Sequence, residues 1–457
     1  MFNSKLMKKI ALKSFGTTIA LILVLSVFSS CADEDYVNAI PGNCTALASV
    51  DASALLDGKT DGFINDFFNT DDVSDCGIDW SSKLYLFETV EGNIGLAAKV
   101  DDDGKLNEWF GKLSNDGYCK AVSEYNGYKF TVVKDSWVTG FSSGALVVLG
   151  PTLPTQNAEV KRQIVNLLEQ GEDKGVKDTR MFAKLDSIMA PVAVVAQANA
   201  LPDKFAAMFS VGAPKDADVS QVMISAGIEN SDDCFVVYGE TFSFNKALDA
   251  QLKDSRKIFR PITETYTGNV PDTAAMGVFM NVDGRQLINV LHSNKTFQAL
   301  LAGVNTAIDM DNIIKSIDGD VAFVLPEYAK KHTYIQMCAK LRSKDFLEDI
   351  DYWKKSCPVG SKIVNWDVDA YCYVNDGMSY FFGVTKDLQF YSGSTESYAR
   401  NILSKAADPL SAEIQSLIKG NRLALFINVN SFVSHDGIGK FIKSFIGGKE
   451  TVLYIME

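Results

Sequence analysis

Residues 46–51 read Ala-Leu-Ala-Ser-Val-Asp, a short apolar strand that ends at an acidic residue. The pattern returns as Val-Val-Ala-Gln-Ala-Asn at 194–199, Val-Phe-Met-Asn-Val-Asp at 278–283 and Leu-Phe-Ile-Asn-Val-Asn at 425–430. Helical spacing of apolar residues follows each copy, so we interpret the last residue of each copy as a helix N-cap. A capping side-chain oxygen accepts from free N–H groups of the first turn and is worth about 1 kcal/mol relative to alanine. The predicted caps are Asp51, Asn199, Asp283 and Asn430.

The spacing of these copies indicates an internal repeat. Asp283 follows Asp51 by 283 − 51 = 232 residues, and Asn430 follows Asn199 by 430 − 199 = 231 residues. Self-similarity at a fixed offset is the signature of one supersecondary unit built twice. We therefore predict two lobes, residues 43–268 and residues 269–457, with the second lobe repeating the first at an offset of about 232.

The segments between the caps predict an α+β fold. Strand-like runs of β-branched and aromatic residues alternate with helical runs. We expect duplicated lobes of antiparallel-rich mixed β-sheet, with helices packed on one face. The second lobe stops at residues 451–455, where the first lobe continues. Either this segment is an edge strand that closes the lobe, or the chain is a shortened copy of a longer protein.

Residues 1–30 have the three parts of a lipoprotein signal peptide. Four lysines precede an uncharged, mostly apolar stretch at 15–28, and two serines stand beside the predicted cut. The apolar stretch is shorter than the ~20 residues that span a bilayer as a helix, so a transmembrane anchor is the weaker interpretation. Cys31, which follows the serines, is the predicted lipidation site. Its acyl chains would hold the mature protein at a membrane.

Residues 31–42 are predicted to form an acidic tether. Ala32, Asp33, Glu34 and Asp35 resemble the export tag that Bacteroidota lipoproteins carry after the lipidated cysteine when they reach the outer face of the outer membrane. A solvated acidic linker is the alternative interpretation. We therefore expect a lipid-anchored protein of the outer membrane that faces the cell exterior.

The charge balance argues against a nucleic-acid partner. The chain has 57 acidic and 44 basic residues and a formal net charge of −13. Removal of the leader, which carries four lysines and no acid, gives −13 − 4 = −17. A surface this acidic repels phosphate backbones.

Seven cysteines remain after Cys31, an odd number at wide spacing, whereas a disulfide framework favours an even number. Cys234, Cys338 and Cys372 fall in strand-like runs, so we expect buried thiols there. The sequence does not decide whether a single disulfide forms, for example between Cys44 and Cys76. No cysteine pair has zinc-finger spacing, and the sequence has no P-loop or dinucleotide-binding motif, so we predict no metal and no cofactor.

Residues 140–144, Gly-Phe-Ser-Ser-Gly, fit the G-x-S-x-G pattern of serine hydrolases. That pattern requires a strand that turns into a helix, so that helix N–H groups face the oxyanion. Here a second strand-like run follows at 145–149, so we predict a hairpin whose glycines take positive φ. The three histidines are scattered and have no acid and nucleophile beside them in the sequence. We therefore predict no catalytic residues.

Two acidic turns, at 101–104 and 309–312, are the candidate calcium sites. Neither has the alternating oxygen ligands and distant bidentate glutamate of an EF-hand. We interpret both as helix starts, where acidic residues complement the helix dipole.

Two of the five tryptophans are the candidates for ligand contact. Trp109 and Trp353 lie on apolar faces of predicted helices, so we expect them in the core. Trp80 and Trp366 are less constrained, and we take them as the candidate contacts for a sugar ring or a protein.

The signal that ends at Cys31, the acidic tag, Asn-Ala-Ile-Pro at 38–41 and the recurrence at Asp283 and Asn430 together resemble one Bacteroidota lipoprotein family, domain of unknown function 4836. The resemblance implies a surface lipoprotein and assigns no activity to any residue. We favour a non-enzymatic surface lipoprotein that binds a glycan or a protein through loops at the ends of its sheets. The alternatives are an assembly or stabilising subunit of an outer-membrane complex and, less favoured, a hydrolase with an unrecognised site.

Overall fold

A computed structural model of the chain describes residues 35–51, 75–200, 217–293, 308–328, 334–375, 378–431 and 449–456. The chain divides into two compact units, residues 1–53 with 70–183 and residues 54–69 with 184–457. This division falls earlier than the predicted boundary at residues 268 and 269, because the strands between residues 192 and 260 group with the second unit. The predicted α+β class is confirmed, and its strands are mostly antiparallel.

The described residues of the first unit form one antiparallel sheet in the order β1–β2–β3–β7–β6–β5–β4. Its strands are β1 (Ala46–Val50), β2 (Leu84–Glu88), β3 (Ile94–Lys99), β4 (Ser123–Tyr125), β5 (Tyr128–Val133), β6 (Trp137–Phe141) and β7 (Ala145–Gly150). Its helices are α1 (Asp103–Asn115), α2 (Asn157–Glu169) and α3 (Arg180–Asp186), which contains the division, with 3₁₀ turns at Asp35–Ala39 and Pro154–Gln156.

Local sequence explains how these elements begin and turn. Asn126 and Gly127 join β4 to β5 with φ of 49° and 81°, the positive values that a two-residue hairpin turn requires and that Asn-Gly adopts readily. Helix α1 begins at Asp102, whose side chain accepts hydrogen bonds from the backbone N–H groups of Gly104 and Lys105. Its apolar stripe, which includes Trp109, is buried, as predicted.

The described residues of the second unit form a sheet in the order β8–β9–β10–β20–β19–β12–β13–β14–β18–β17–β16–β15, and β11 also pairs with β12. The strands are β8 (Val192–Gln197), β9 (Met223–Asn230), β10 (Phe235–Phe242), β11 (Phe259–Arg260), β12 (Met276–Asp283), β13 (Ile317–Leu325), β14 (Gln336–Leu341), β15 (Lys362–Asp367), β16 (Ala370–Asn375), β17 (Met378–Val384), β18 (Gln389–Gly393), β19 (Leu423–Asn428) and β20 (Thr451–Met456). The helices are α4 (Lys246–Arg256), α5 (Gly284–Ser293), α6 (Met310–Lys315), α7 (Ile350–Ser356), α8 (Glu396–Asn401) and α9 (Ala412–Ile418). The 3₁₀ turns are Ala198–Ala200, Val219–Gln221, Thr267–Asn269, Asp345–Asp349 and Val429–Ser431.

Strand β20 lies inside the sheet. It pairs parallel with β10 on one side and antiparallel with β19 on the other. Leu453 and Ile455, which point to one face of the strand, are fully buried. The interpretation of residues 451–455 as an edge strand is therefore wrong, since both edges of the strand are hydrogen-bonded.

Helices of the second unit cover both faces of its sheet. On β13, Val321 packs in the core cluster that contains the buried residues of α5, α6 and α7. The next residue, Ala322, packs in a different cluster, which contains Ile414 and Ile418 of α9. Adjacent strand residues point to opposite faces. The expectation of helices on one face is therefore wrong for this unit.

Two sets of seven strands have the same order. In the first unit the set is β1–β2–β3–β7–β6–β5–β4, and in the second it is β12–β13–β14–β18–β17–β16–β15. Helix α1 follows β3, and α7 follows β14, the strand at the same place in its set. Each helix buries one tryptophan, Trp109 in α1 and Trp353 in α7. Both tryptophans are core residues, as predicted.

Candidate functional site

Asp283 has the geometry of a helix cap. It ends β12, and its side chain accepts a hydrogen bond of 2.9 Å from the backbone N–H of Arg285 in the first turn of α5. The Arg342 guanidinium forms an ion pair with the same carboxylate at 2.9 Å. Partial burial raises the pKa of Asp283, but the N–H of Arg285 and the charge of Arg342 outweigh it, so the pKa lies below its ordinary value.

The other three predicted caps border residues outside the described ranges. Asp51 directly follows β1, and the segment that it would cap begins at residue 52. Asn199 and Asn430 each lie within a 3₁₀ turn that follows a strand. At the second of these turns the side chain of Asn428 accepts a hydrogen bond of 3.1 Å from the N–H of Asn430, and the residues that Asn430 would cap lie outside the described ranges.

The G-x-S-x-G segment is a hairpin turn between β6 and β7, as predicted. The Ser142 hydroxyl lies within hydrogen-bond distance of the backbone N–H groups of Gly144 and Ala145, at 3.3 and 3.2 Å. The glycines do not take positive φ, which corrects the prediction. Gly140 is required by packing instead, because a Cβ there would lie 2.6 Å from Ile164 and from the Phe130 ring.

A shallow cavity of about 280 Å³ lies beside this turn in the first unit, and its walls include Asp35, Lys99, Ser142 and Gln170. Two of these polar side chains form contacts that stabilise the fold. Lys99 pairs with Asp79 at 3.1 Å, and the Gln170 amide donates to the carbonyl of Ile40 at 3.0 Å. The described residues that line the cavity include no histidine or cysteine.

The acidic turns are helix starts, as interpreted from the sequence. Asp309 accepts from the N–H of Asn312 at 3.0 Å, as Asp102 does for the first turn of α1. Asp311, in the first turn of α6, lies 3.0 Å from the Nε2 atom of His292. His332 and His435 lie outside the described residues. Across the described ranges, no group of three or more His, Cys, Asp or Glu side chains is placed to hold a metal ion.

All seven cysteines that follow Cys31 are described, and all are free thiols. Cys44 and Cys76 are buried without forming the bridge that the sequence left open. Burial also holds Cys234, Cys338 and Cys372 away from solvent, as predicted, and desolvation raises their pKa values. These thiols pack as small apolar side chains.

Trp80 is half-buried in a tightly hydrogen-bonded turn before β2. The preceding Asp79 accepts from the hydroxyls of Ser81 and Ser82 and pairs with Lys99. Burial alone would raise the pKa of Asp79, but these donors bring it down to about 2. Trp80 therefore belongs to a fixed structural turn of the first unit.

Trp366 is the better candidate for ligand contact. It lies on β15, where the register with β16 shifts between Asn365 and Asp367. Such a bulge leaves one residue unpaired and re-aims side chains, often beside functional sites. The Trp366 ring contacts the rings of Phe381 at 5.0 Å and Tyr391 at 6.1 Å, and it is only partly buried.

Arg400 of α8 lies over the Trp366 ring, with its guanidinium carbon 4.4 Å from the ring centroid. Asp367 and Glu396 hold the guanidinium at 3.2 and 3.0 Å. The pKa of Glu396 is lowered chiefly by its hydrogen bond from Arg400, and that of Asp367 by the N–H of Val368 and then by Arg400. We call these six residues the Trp366 cluster: Trp366, Asp367, Phe381, Tyr391, Glu396 and Arg400.

Arg400 was not predicted from the sequence, although Glu396 and Arg400 have the i, i+4 spacing of a helical ion pair. Cys31, Ala32, Asp33 and Glu34 lie outside the described residues, and Asp35 is the exposed first residue of a 3₁₀ turn. Within the described part of the chain, none of the helices has the length and apolar character needed to cross a bilayer.

Comparison with protein families identifies a match over much of the chain. The sequence profile of a domain of unknown function, DUF4836, matches residues 69–424, which is more than half of the chain. The chain belongs to the DUF4836 family. This finding confirms the resemblance to that family and assigns no chemistry to any residue.

Comparison of the DUF4836 chain with curated proteins returns no match. Among solved structures, crystal form IV of TP0453 is similar at a TM-score of 0.31 and 7% identity, covering 46% of this chain and 80% of TP0453. Crystal form III of TP0453 is similar at a TM-score of 0.29 and 8% identity, covering 44% of this chain and 76% of TP0453. Similarity at this level carries no argument about function.

Proposed function

We propose that this chain is a non-enzymatic lipoprotein, anchored in the outer membrane and facing the cell exterior, that binds a protein ligand at the Trp366 cluster. The stack of Arg400 on Trp366 at the surface of the second unit carries the proposal. Tryptophan, tyrosine and arginine are the residue types enriched at the energetic centres of protein interfaces, and the cluster contains all three. Val364, two residues before Trp366, extends the cluster with an exposed apolar side chain.

A protein ligand fits the cluster better than a glycan does. One face of the Trp366 ring carries the Arg400 guanidinium, and the Phe381 and Tyr391 rings also pack against it. These contacts leave less of the ring free for stacking against a sugar. The guanidinium, held between two carboxylates, offers a preorganised donor to an acceptor on a protein partner. A glycan is the alternative outcome of the experiment below.

The repeat supports a function that belongs to the second unit. We propose that the two seven-strand sets are copies of one unit, because their strand orders agree and Asp283 follows Asp51 by 232 residues. Lys99 pairs with Ala145 between β3 and β7, and Lys340 pairs with Gln389 between the matching strands β14 and β18. Strand β4, which matches β15, has three residues and no tryptophan. The Trp366 cluster is thus a feature of one copy only.

Photocrosslinking tests the binding proposal. A photoreactive phenylalanine analogue at position 364 is expected to capture a discrete protein on intact cells, and Trp366→Ala or Arg400→Ala is expected to abolish the adduct. The analogue at Asp135, exposed in the first unit, is the control that should give no such adduct. Glycan adducts, or protein adducts that survive both substitutions, would contradict the proposal. The captured protein could instead be a membrane protein that disappears from the membrane of cells lacking this chain. That result would favour the assembly-subunit function.

Lipidation and display are tested separately. The acidic residues after Cys31 support export, so neutralising them with Asp33→Asn, Glu34→Gln and Asp35→Asn should protect the protein from protease added to intact cells. The unaltered protein should be cleaved, and mass spectrometry should find acyl chains on Cys31. A protected wild type or an unmodified Cys31 would contradict this part of the proposal.

A further inference from the structure

Strand β15 (Lys362–Asp367) is a free edge of the second sheet. Among the described residues it pairs only with β16, and no backbone hydrogen bond joins it to another described segment. In an antiparallel pair, alternate residues turn their N–H and C=O groups away from the partner strand. On β15 these groups face outward, and such a row is a template that the backbone of another strand satisfies.

The two units differ at this edge. Strand β4, which the proposed repeat matches to β15, has only three residues. Short edge strands are one way in which proteins avoid pairing with other chains. Strand β15 has six residues, and Val364 near its middle is 38% exposed. The second unit therefore keeps a pairing edge that β4 does not offer.

The edge borders the Trp366 cluster on one face of the sheet. Val364 pairs with Cys372, and Cys372 pairs with Phe381, whose ring lies 5.0 Å from that of Trp366. Directly opposite residues of neighbouring strands point to the same face, so Val364 and Trp366 share this face. A strand added to β15 would cover Val364 and lie beside the Trp366 cluster.

The charges along the edge favour a second copy of β15 as its partner. Lys362, at the start of the strand, is exposed and forms no ion pair with another described residue. At the other end, the Trp366 cluster has two carboxylates and one guanidinium, an excess of one negative charge. Between them, the charge of Lys354 is offset by Asp351 at 3.6 Å. Antiparallel pairing of two copies brings the opposite charges together, whereas parallel pairing in register brings like charges together.

We infer that β15 pairs antiparallel with β15 of a second copy of this chain, with Val364 at the twofold axis. The inference rests on the proposed binding of a protein at the Trp366 cluster and names that protein. In this register Lys362 of each copy lies opposite position 366 of the other copy, beside Asp367. The two Val364 side chains meet on the same face. Because the pair uses both free edges, the assembly closes at two copies.

Thiol crosslinking tests this register. The full mature chain, residues 31–457 with Cys31→Ser, carries Val364→Cys and is treated with a short bifunctional thiol reagent. It should form linked dimers, because the Cβ atoms of directly opposite residues are about 5 Å apart. Val368→Cys is the matched control, since Val368 is 77% exposed but would lie roughly 26 Å from its symmetry mate. The chain without either substitution shows any linkage through the partly exposed Cys119 and Cys357.

Sedimentation equilibrium of the same mature chain measures the affinity. The unsubstituted chain should show a monomer–dimer equilibrium, and Lys362→Glu should weaken it at least about fivefold, since each dimer loses two exposed ion pairs. Three results would overturn the inference: a chain that stays monomeric, equal linkage of Val364→Cys and Val368→Cys, or a dissociation constant that Lys362→Glu leaves unchanged.

The photocrosslinking experiment at position 364 separates this inference from the proposed function. Capture of a second copy of this chain on intact cells would support both. Capture of a different protein would overturn the inference and still support the proposed function. The absence of any protein adduct would contradict both.

Discussion

Arg400 stacks on Trp366 with its guanidinium carbon 4.4 Å from the ring centroid, although 34 residues separate the two along the chain. Helix α8 carries Arg400, and the bulge in β15 presents Trp366. Asp367 and Glu396 fix the orientation of the guanidinium. The contact therefore joins a helix to the outermost described strand of the second sheet.

Removal of this stack should change the environment of Trp366 without unfolding the protein. Arg400→Ala uncovers one face of the ring to water, so we expect the fluorescence emission of Trp366 to shift to longer wavelength. The thermal midpoint should change little, because exposed ion pairs contribute little to stability. The emission of Trp366 is isolated by subtraction: the spectrum of the Trp366→Phe form is subtracted from that of the wild type, and likewise for Arg400→Ala. An unchanged difference spectrum in Arg400→Ala would show that the stack does not persist in solution.

Two glycines of the G-x-S-x-G segment should respond differently to the same substitution. Gly140→Ala places a Cβ 2.6 Å from Ile164 and from the Phe130 ring, both fully buried, and overpacking of this kind costs about 1–3 kcal/mol. Gly144→Ala meets no atom within 4 Å and needs no positive φ, so it should be neutral or stabilise by up to about 1 kcal/mol. Urea unfolding of the two variants measures the difference. Equal losses would contradict the packing role of Gly140.

The sequence predicted features that depend on neighbouring residues. The β6–β7 hairpin followed from a strand-like run on each side of Ser142, and the core positions of Trp109 and Trp353 followed from helical spacing. Residue order and periodicity determine such features locally. The helix starts at Asp102 and Asp309 could be predicted from the sequence for the same reason.

Features that depend on distant pairing were missed or misplaced. The parallel pairing of β20 with β10 joins residues more than 200 positions apart, and no local pattern in either strand specifies that partner. Helices on both faces of the second sheet follow from the alternation of Val321 and Ala322 between two cores. A continuous apolar run at 321–325 signals burial on both faces and could have indicated this. The stack of Arg400 on Trp366 needed the sheet to be assembled first.

The thiols should titrate in two groups. We expect two cysteines to react quickly with a thiol reagent in the native protein and all seven to react after unfolding without reductant. The other five cysteines should react slowly in the native protein. Burial limits the access of the reagent to these thiols and raises their pKa values, to about 12 for Cys44. Fewer than seven thiols after unfolding would reveal a disulfide. The slow group is Cys44, Cys76, Cys234, Cys338 and Cys372, and the fast group is Cys119 and Cys357.

Asp283 should make stability depend on pH in the acidic range. Its pKa in the folded chain is below the unfolded value of about 3.9, because the Arg285 N–H and the Arg342 guanidinium favour the carboxylate over the effect of burial. A depressed folded pKa adds stability above the unfolded pKa, and this stability is lost as pH falls through the folded pKa. The free energy of unfolding of the wild type should exceed that of Asp283→Asn at neutral pH, and the excess should shrink below about pH 4.

Two further variants separate the cap from the ion pair. Asp283→Asn keeps an oxygen for the Arg285 N–H, whereas Asp283→Ala removes it and should cost about 1 kcal/mol more at every pH. When both proteins also carry Arg342→Met, the difference in free energy of unfolding between the chain with Asp283 and the chain with Asp283→Asn should shrink. The reason is that the ion pair at 2.9 Å is then absent. Chemical unfolding between pH 7 and pH 3 measures each difference. An excess that stays constant over this range would show that folding does not lower the pKa of Asp283, which would contradict a charge-dependent contribution from either the Arg285 hydrogen bond or the Arg342 ion pair at this helix start.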